Sequence, residues 1–236
     1  MRIIQTAIAV LLLVSSVAAV RADEADLGVG VSSAYIWRGI TVNENPVIQP
    51  FTKFTFEMFS VDTWGNINLD EYDEVQNHGL FSEIDLTLSW EFSYQGVDYR
   101  TGWIEYLYTR GTNDTREIYG VARLFLFENV FTDLGVYYDI DEKDDIYARA
   151  RLGCTLRLSE SLDAELLSSI AVAGKDMSAG DSGGAHDYSL SLGLIHGAGS
   201  LCEIAGSVVH TGSLDKDVLP EQEVEFYVMC SITVGF

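Results

Sequence analysis

From position 223 to the C-terminal residue the chain alternates without a break. Val224, Phe226, Val228, Cys230, Ile232, Val234 and Phe236 fall on one side, and Glu225, Tyr227, Met229, Ser231, Thr233 and Gly235 on the other. A period of two held this long is a β-strand with unlike faces. The pattern recurs. Ile84, Leu86, Leu88, Trp90 and Phe92 oppose Glu83, Asp85, Thr87, Ser89 and Glu91, and Ile146 to Leu158 alternate with Tyr147, Arg149, Arg151, Gly153, Thr155 and Arg157. Such strands cannot have both faces in an apolar core, so each must separate two different environments.

Read along its length, the chain offers about twelve strands, each near the roughly 9–11 residues of a tilted membrane strand. They fall at 27–37, 47–57, 59–69, 81–92, 97–108, 116–126, 131–140, 145–158, 162–173, 186–195, 201–211 and 223–236. Pro50 counts mildly against a regular ladder in the second, because proline donates no hydrogen bond. The links alternate too. Those after even strands are short, as at 58–60, 93–96, 127–130, 159–161 and 196–200. Those after odd strands are mostly longer and polar, as at 38–46, 70–80, 109–115, 174–185 and 212–222; only 141–144 is short. An even strand count with short turns at one end and longer loops at the other predicts an all-β fold, a transmembrane antiparallel β-barrel. A soluble sandwich or lipocalin-like barrel would alternate as well, but it does not explain the loop lengths.

The start of the chain reads as a signal peptide over residues 1–22. Met1-Arg2 precede a short apolar run, and Val20-Arg21-Ala22 supply a cleavage site. The barrel then occupies 23–236, and the protein is expected in the bacterial outer membrane. The ending in Phe236 resembles the closing strand of outer-membrane barrels, which implies recognition by the barrel-assembly machinery and pairing with the first strand.

With the apolar set facing lipid, the polar set lines the lumen. The lumen-lining candidates are Glu83, Asp85, Glu91, Arg149, Arg151, Arg157, Asp163 and Glu165. The 159–161 turn sets Arg157 across from Asp163, with Glu165 a diagonal step away, close enough for opposite charges to pair. These charges either fill and cross-link the lumen or orient a polar solute within it. Tyr35, Trp37, Trp90, Phe92 and Phe236 gather near strand ends and are expected to anchor the barrel at the membrane interfaces.

The net charge of −22 disfavours nucleic acid. It hints weakly at cation preference, and it allows divalent cations at the acidic loops 70–74 and 139–145, although neither has the EF-hand pattern. No cofactor and no catalytic or metal site are expected. Gly180-Asp181-Ser182-Gly183-Gly184 resembles the serine motif of chymotrypsin-like proteases, but Ala185 replaces the usual proline. A rim hydrolase would need His210, Ser213, Asp215 and Asp217 to converge. Cys154, Cys202 and Cys230 sit among apolar residues; a bridge between Cys202 and Cys230, on adjacent strands, is conceivable.

The segment Val31-Ser32-Ser33-Ala34-Tyr35-Ile36-Trp37-Arg38-Gly39-Ile40-Thr41, followed by Asn45-Pro46-Val47-Ile48-Gln49-Pro50 and Trp64-Gly65-Asn66, resembles the Gcw_chp family of bacterial envelope proteins. The resemblance implies a signal-peptide-bearing barrel and supplies no activity or ligand. The leading functional expectation is a porin-like passive channel for small polar solutes bounded by outer-membrane lipid. A non-conducting structural or interaction barrel is the alternative, and a rim-sited hydrolase a remote one.

Overall fold

The computed structural model describes residues 22–70, 79–109, 113–199 and 201–236. The segment expected to be a signal peptide, apart from Ala22, and most of the acidic 70–74 loop lie outside the described residues. Twelve strands close into one antiparallel barrel. In chain order the strands are β1 (Glu24–Ser32), β2 (Tyr35–Trp37), β3 (Ile40–Asn43), β4 (Val47–Phe56), β5 (Phe59–Asn68), β6 (Phe81–Tyr94) and β7 (Val97–Tyr108). They continue with β8 (Thr115–Phe127), β9 (Val130–Asp139), β10 (Ile146–Arg157), β11 (Leu162–Ala173), β12 (Gly184–Gly197), β13 (Cys202–Ser213) and β14 (Phe226–Gly235). Each wall strand pairs with its neighbours in sequence, and β14 closes on β1 with Leu27 opposite Val234 and Val31 opposite Cys230. Phe236 extends the closure, its amide donating to the Ala25 carbonyl at 2.9 Å.

Closure is what the alternation requires. Within lipid no water satisfies a free strand edge, so the ladder must return on itself. The outer face carries Leu88, Leu134, Leu152, Leu166, Leu192 and Val208, all about half-exposed in the protein alone and therefore offered to lipid. Ser89, Glu117 and Asp133 point the other way and are buried in the bore. Pro50 is accommodated: β4 pairs with β5 at Ile48–Ile67 and again at Phe51–Trp64, and the rungs between are skipped. The inward side chain of Gln49 instead donates to Asn66 at 3.1 Å.

The first strand departs from expectation. The wall strand stops at Ser32, where the sequence pattern continued to Trp37. The Ser32 hydroxyl donates to the Ala34 carbonyl at 2.6 Å, and the chain turns off the wall. Strands β2 and β3 then form a separate hairpin inside the barrel. Its turn is Arg38-Gly39, both with positive φ (52° and 77°), the backbone that a two-residue hairpin turn demands. Gly39 is required twice over, because a Cβ there would also meet the Asp187 Cβ at 2.6 Å.

Candidate functional site

The hairpin fills part of the long-loop half of the bore. Tyr35 donates its hydroxyl to Glu83 on β6 at 2.8 Å. Arg38 reaches β8, where its two terminal nitrogens donate to the two oxygens of Glu117 at 2.8 and 2.7 Å. The guanidinium also lies 4.4 Å from the Trp37 ring centre, 4.9 Å from Tyr137 and 4.3 Å from Tyr147. Tyr106 completes the clasp by donating to Glu117 at 2.9 Å. A fork to a carboxylate and stacking on aromatic faces are the contacts an arginine makes and a lysine does not. On the other side, the Thr41 amide donates to Gln222 at 2.8 Å. Leu219, fully buried, stands against the Gly39 turn. The hairpin is therefore a crossbar tied to β6, β8 and the loop before β14.

The short-turn half is more open and strongly charged. A cavity of about 830 Å³ is lined by residues including Lys53, Asp62, Glu91, Arg100, Asp133 and Arg149. A second, of about 550 Å³, lies beside Arg157, Asp163 and Glu165. Arg123 and Arg151 stand at the junction of the two. A third cavity, of about 340 Å³, lies under the hairpin between Arg38, Arg149, Ser189 and Tyr227.

Nearly every charge here has a partner. Lys53 meets Glu91 at 3.4 Å, and Arg100 bonds Asp62 and approaches Glu91 at 3.3 Å. Arg123 and Arg151 both hold Asp133, and Arg157 holds Asp163 across the β10–β11 register. The charged wall runs over β4–β11. The facing wall is built mainly from small inward residues of β12–β14 and β1, such as Ser191, Gly193, Ser207 and Gly30. Arg38, Lys53, Arg100, Arg123, Arg149, Arg151 and Arg157 make up half of the 14 Lys and Arg residues of the chain, and all are inside. The −22 net charge thus belongs largely to the loops and says little about the bore.

Of the eight expected lumen residues, Glu91, Arg149 and Arg151 border the large cavity, and Arg157, Asp163 and Glu165 the second. Glu83 is buried beneath Tyr35, and Asp85 shares its face of β6 two residues on. Trp90, Phe92 and Phe236 are exposed on the outer surface, with Trp90 stacked on Phe59. Tyr35 and Trp37 correct the anchor expectation. They belong to the inward hairpin, and Tyr35 is only 6% exposed. Their aromatic character serves the clasp around Arg38 and Glu83, away from the membrane surface.

The rim hydrolase set does not converge. His210 faces outward, stacked on Phe226 at 4.2 Å, whereas Ser213, three residues on, has the opposite parity. Ser182 sits in an exposed loop and its hydroxyl donates to the Asp217 carbonyl at 3.4 Å. In the 139–145 loop, Asp139 accepts from the amides of Asp141 and Lys143, and Asp145 from those of Asp176 and Met177. Among the described residues no three His, Cys, Asp or Glu side chains group as metal ligands. Cys202 lies opposite Val234 and Cys230 opposite Gly206, so the two are four rungs apart and all three cysteines are free.

Sequence reasoning missed Lys53, Asp62, Arg100, Glu117, Arg123 and Asp133. On β7 and β8, Ile104 and Val121 face inward while Glu105 and Arg116 pair on the outside, which blurs the contrast that marks the other strands.

No protein-family model matches the chain, and no curated protein does. Solved structures do. A KdgM porin in complex with disordered oligogalacturonate superposes with a TM-score of 0.59 at 6% identity, covering 90% of this chain and 99% of that one. A NanC porin gives 0.58 at 8% identity over 89% and 98% of the two chains. An outer membrane channel from Pseudomonas putida F1 gives 0.55 at 9% identity over 90% and 95%. At such identities the likeness is one of fold, a twelve-stranded outer-membrane type of barrel.

Proposed function

We propose that the chain is a porin-like passive channel for small polar solutes in a bacterial outer membrane, narrowed from within by the β2–β3 hairpin. The observation that carries this reading is the bore itself: cavities of about 830 and 550 Å³ joined at Arg123 and Arg151, with paired ions set among aromatic and aliphatic side chains along their walls. Three barrels of similar fold carry names that call them porins or channels, which supports the same reading. In this orientation the short turns face the periplasm. The signal peptide directs export, β14 with Phe236 meets the assembly machinery, and the outer face meets lipid. The resemblance to the Gcw_chp family is carried by the 31–66 segment alone, whose Arg38-Gly39 is the hairpin turn, and no family model matches the chain. The acidic outer loops remain open to weak divalent-cation association. Current steps across a planar bilayer on adding purified protein test the channel reading; none in any salt would sink it.

A specific observation favours the second reading, a non-conducting barrel. The hairpin is tied on both sides, and Val218 and Leu219 are buried beside it. Shortening the hairpin discriminates: conductance that emerges only then identifies a closed bore.

A further inference from the structure

We propose that Arg149 is an anion-binding residue of the bore, one that engages carboxylate or phosphate groups of passing solutes. The proposal rests on the channel reading for its biological setting and on independent geometry for the site. Every other cation of the bore has a carboxylate within ion-pair distance: Arg38 has Glu117, Lys53 has Glu91, Arg100 has Asp62, Arg123 and Arg151 have Asp133, and Arg157 has Asp163. Arg149 has none among the described residues. The reason lies in the register. Its cross-strand neighbours are Gly135 on β9 and Ala171 on β11, so neither adjacent strand brings a charge to its level.

Its position makes the free charge consequential. Arg149 borders both the 830 Å³ and the 340 Å³ cavity, beside Tyr137, so a solute crossing from one to the other passes the guanidinium. On the side of the large cavity, Arg123, Arg149 and Arg151 have one ion-paired carboxylate among them, Asp133. Asp98, in register with Arg123, and Glu165 also act on that arginine, so Arg123 and Arg151 are compensated and Arg149 is the cation of the large cavity that no carboxylate pairs among the described residues. On the hairpin side, Asp187 shares the small cavity, holding the Tyr147 hydroxyl at 2.9 Å and His186 Nδ1 at 2.9 Å. That carboxylate repels anions, so an anion reaches Arg149 from the large cavity. A planar guanidinium presents two parallel donors to carboxylate or phosphate oxygens, and an uncompensated charge in a narrow bore concentrates counter-ions.

The test pairs calorimetry with reversal potentials. Purified folded protein at low ionic strength is titrated with citrate and, separately, with inorganic phosphate. Saturable heat is expected for at least one, falling at least tenfold in R149Q and less in R149K, which keeps the charge without the fork. In a KCl gradient, R149Q is expected to shift the reversal potential towards cation preference. Heat-modifiable migration on gels verifies that the variants are folded, and R149A, which also removes the charge, carries both readouts if R149Q is not. Binding and reversal potential unchanged in the folded variant that lacks the charge would overturn the proposal while leaving the channel standing. Binding dependent on Arg149 in a barrel that passes no current would support the site and overturn the channel reading instead.

Discussion

Arg38 and Glu117, 79 residues apart in sequence, meet inside the long-loop half of the barrel as a two-pronged ion pair, 9% and 1% exposed. The pair sits inside an aromatic clasp and fixes the tip of the hairpin to the opposite wall. Arg38 holds a left-handed backbone, a conformation costing about 1–2 kcal/mol for a non-glycine residue. The stacking and the fork offset it, cation–π contact alone reaching about 2 kcal/mol when desolvated.

Removing one partner should release the hairpin. Glu117→Ala leaves Arg38 buried without a counter-charge, a loss of about 3–5 kcal/mol borne by the hairpin's docking. Trypsin is expected to cut after Arg38 in the folded E117A barrel and to spare that bond in the parent. Resistance equal to that of the parent would show that the clasp does not hold the hairpin.

Asp133 serves two arginines at once, and its side chain is only 5% exposed. Asp133→Asn strands both. Because Arg123 and Arg151 are partly solvated, the cost is put at about 1–2 kcal/mol. It should appear as earlier thermal unfolding on gel mobility, together with a shift of the reversal potential towards anions.

Leu152 lies mid-strand on the outer face of β10, 48% exposed. In water Leu152→Arg would change stability by only about 0.5 kcal/mol. Against lipid it should cost about 2–4 kcal/mol. Unfolding titrations in lipid vesicles separate the two; a neutral result would contradict the assignment of that face to the membrane.

All three cysteines should react as free thiols. Four rungs between Cys202 and Cys230 correspond to about 13 Å along the strand, beyond the roughly 7 Å Cα limit for a bridge. Alkylation without reductant should add three labels, and mass should not change on reduction.

The wall strands were legible because lipid and bore impose opposite polarity on successive residues, and long loops at one end and short turns at the other set the strand count. The Arg157–Asp163 pair was legible because a three-residue turn fixes its register. The hairpin was not. Tyr35 and Trp37 continue the alternation of β1, and an aromatic docked on buried carboxylates has the same sequence signature as one at a membrane interface. Arg38-Gly39 between Trp37 and Ile40 carried the one local cue, a two-residue turn too early to be a barrel corner. The pairing of Arg38 with Glu117 depends on barrel closure, which no local window contains. The free state of Arg149 likewise follows from Gly135 and Ala171 across two ladders.

The most direct test of the central claim is single-channel recording of the purified barrel beside a variant in which residues 33–46 are replaced by a short Gly-Ser turn. Ser32 and Val47 already face each other across the β1–β4 ladder, so the wall survives the exchange. The account predicts small ohmic steps for the parent and clearly larger ones for the variant. Intact, heat-modifiable barrels that give no current with or without the hairpin would contradict it.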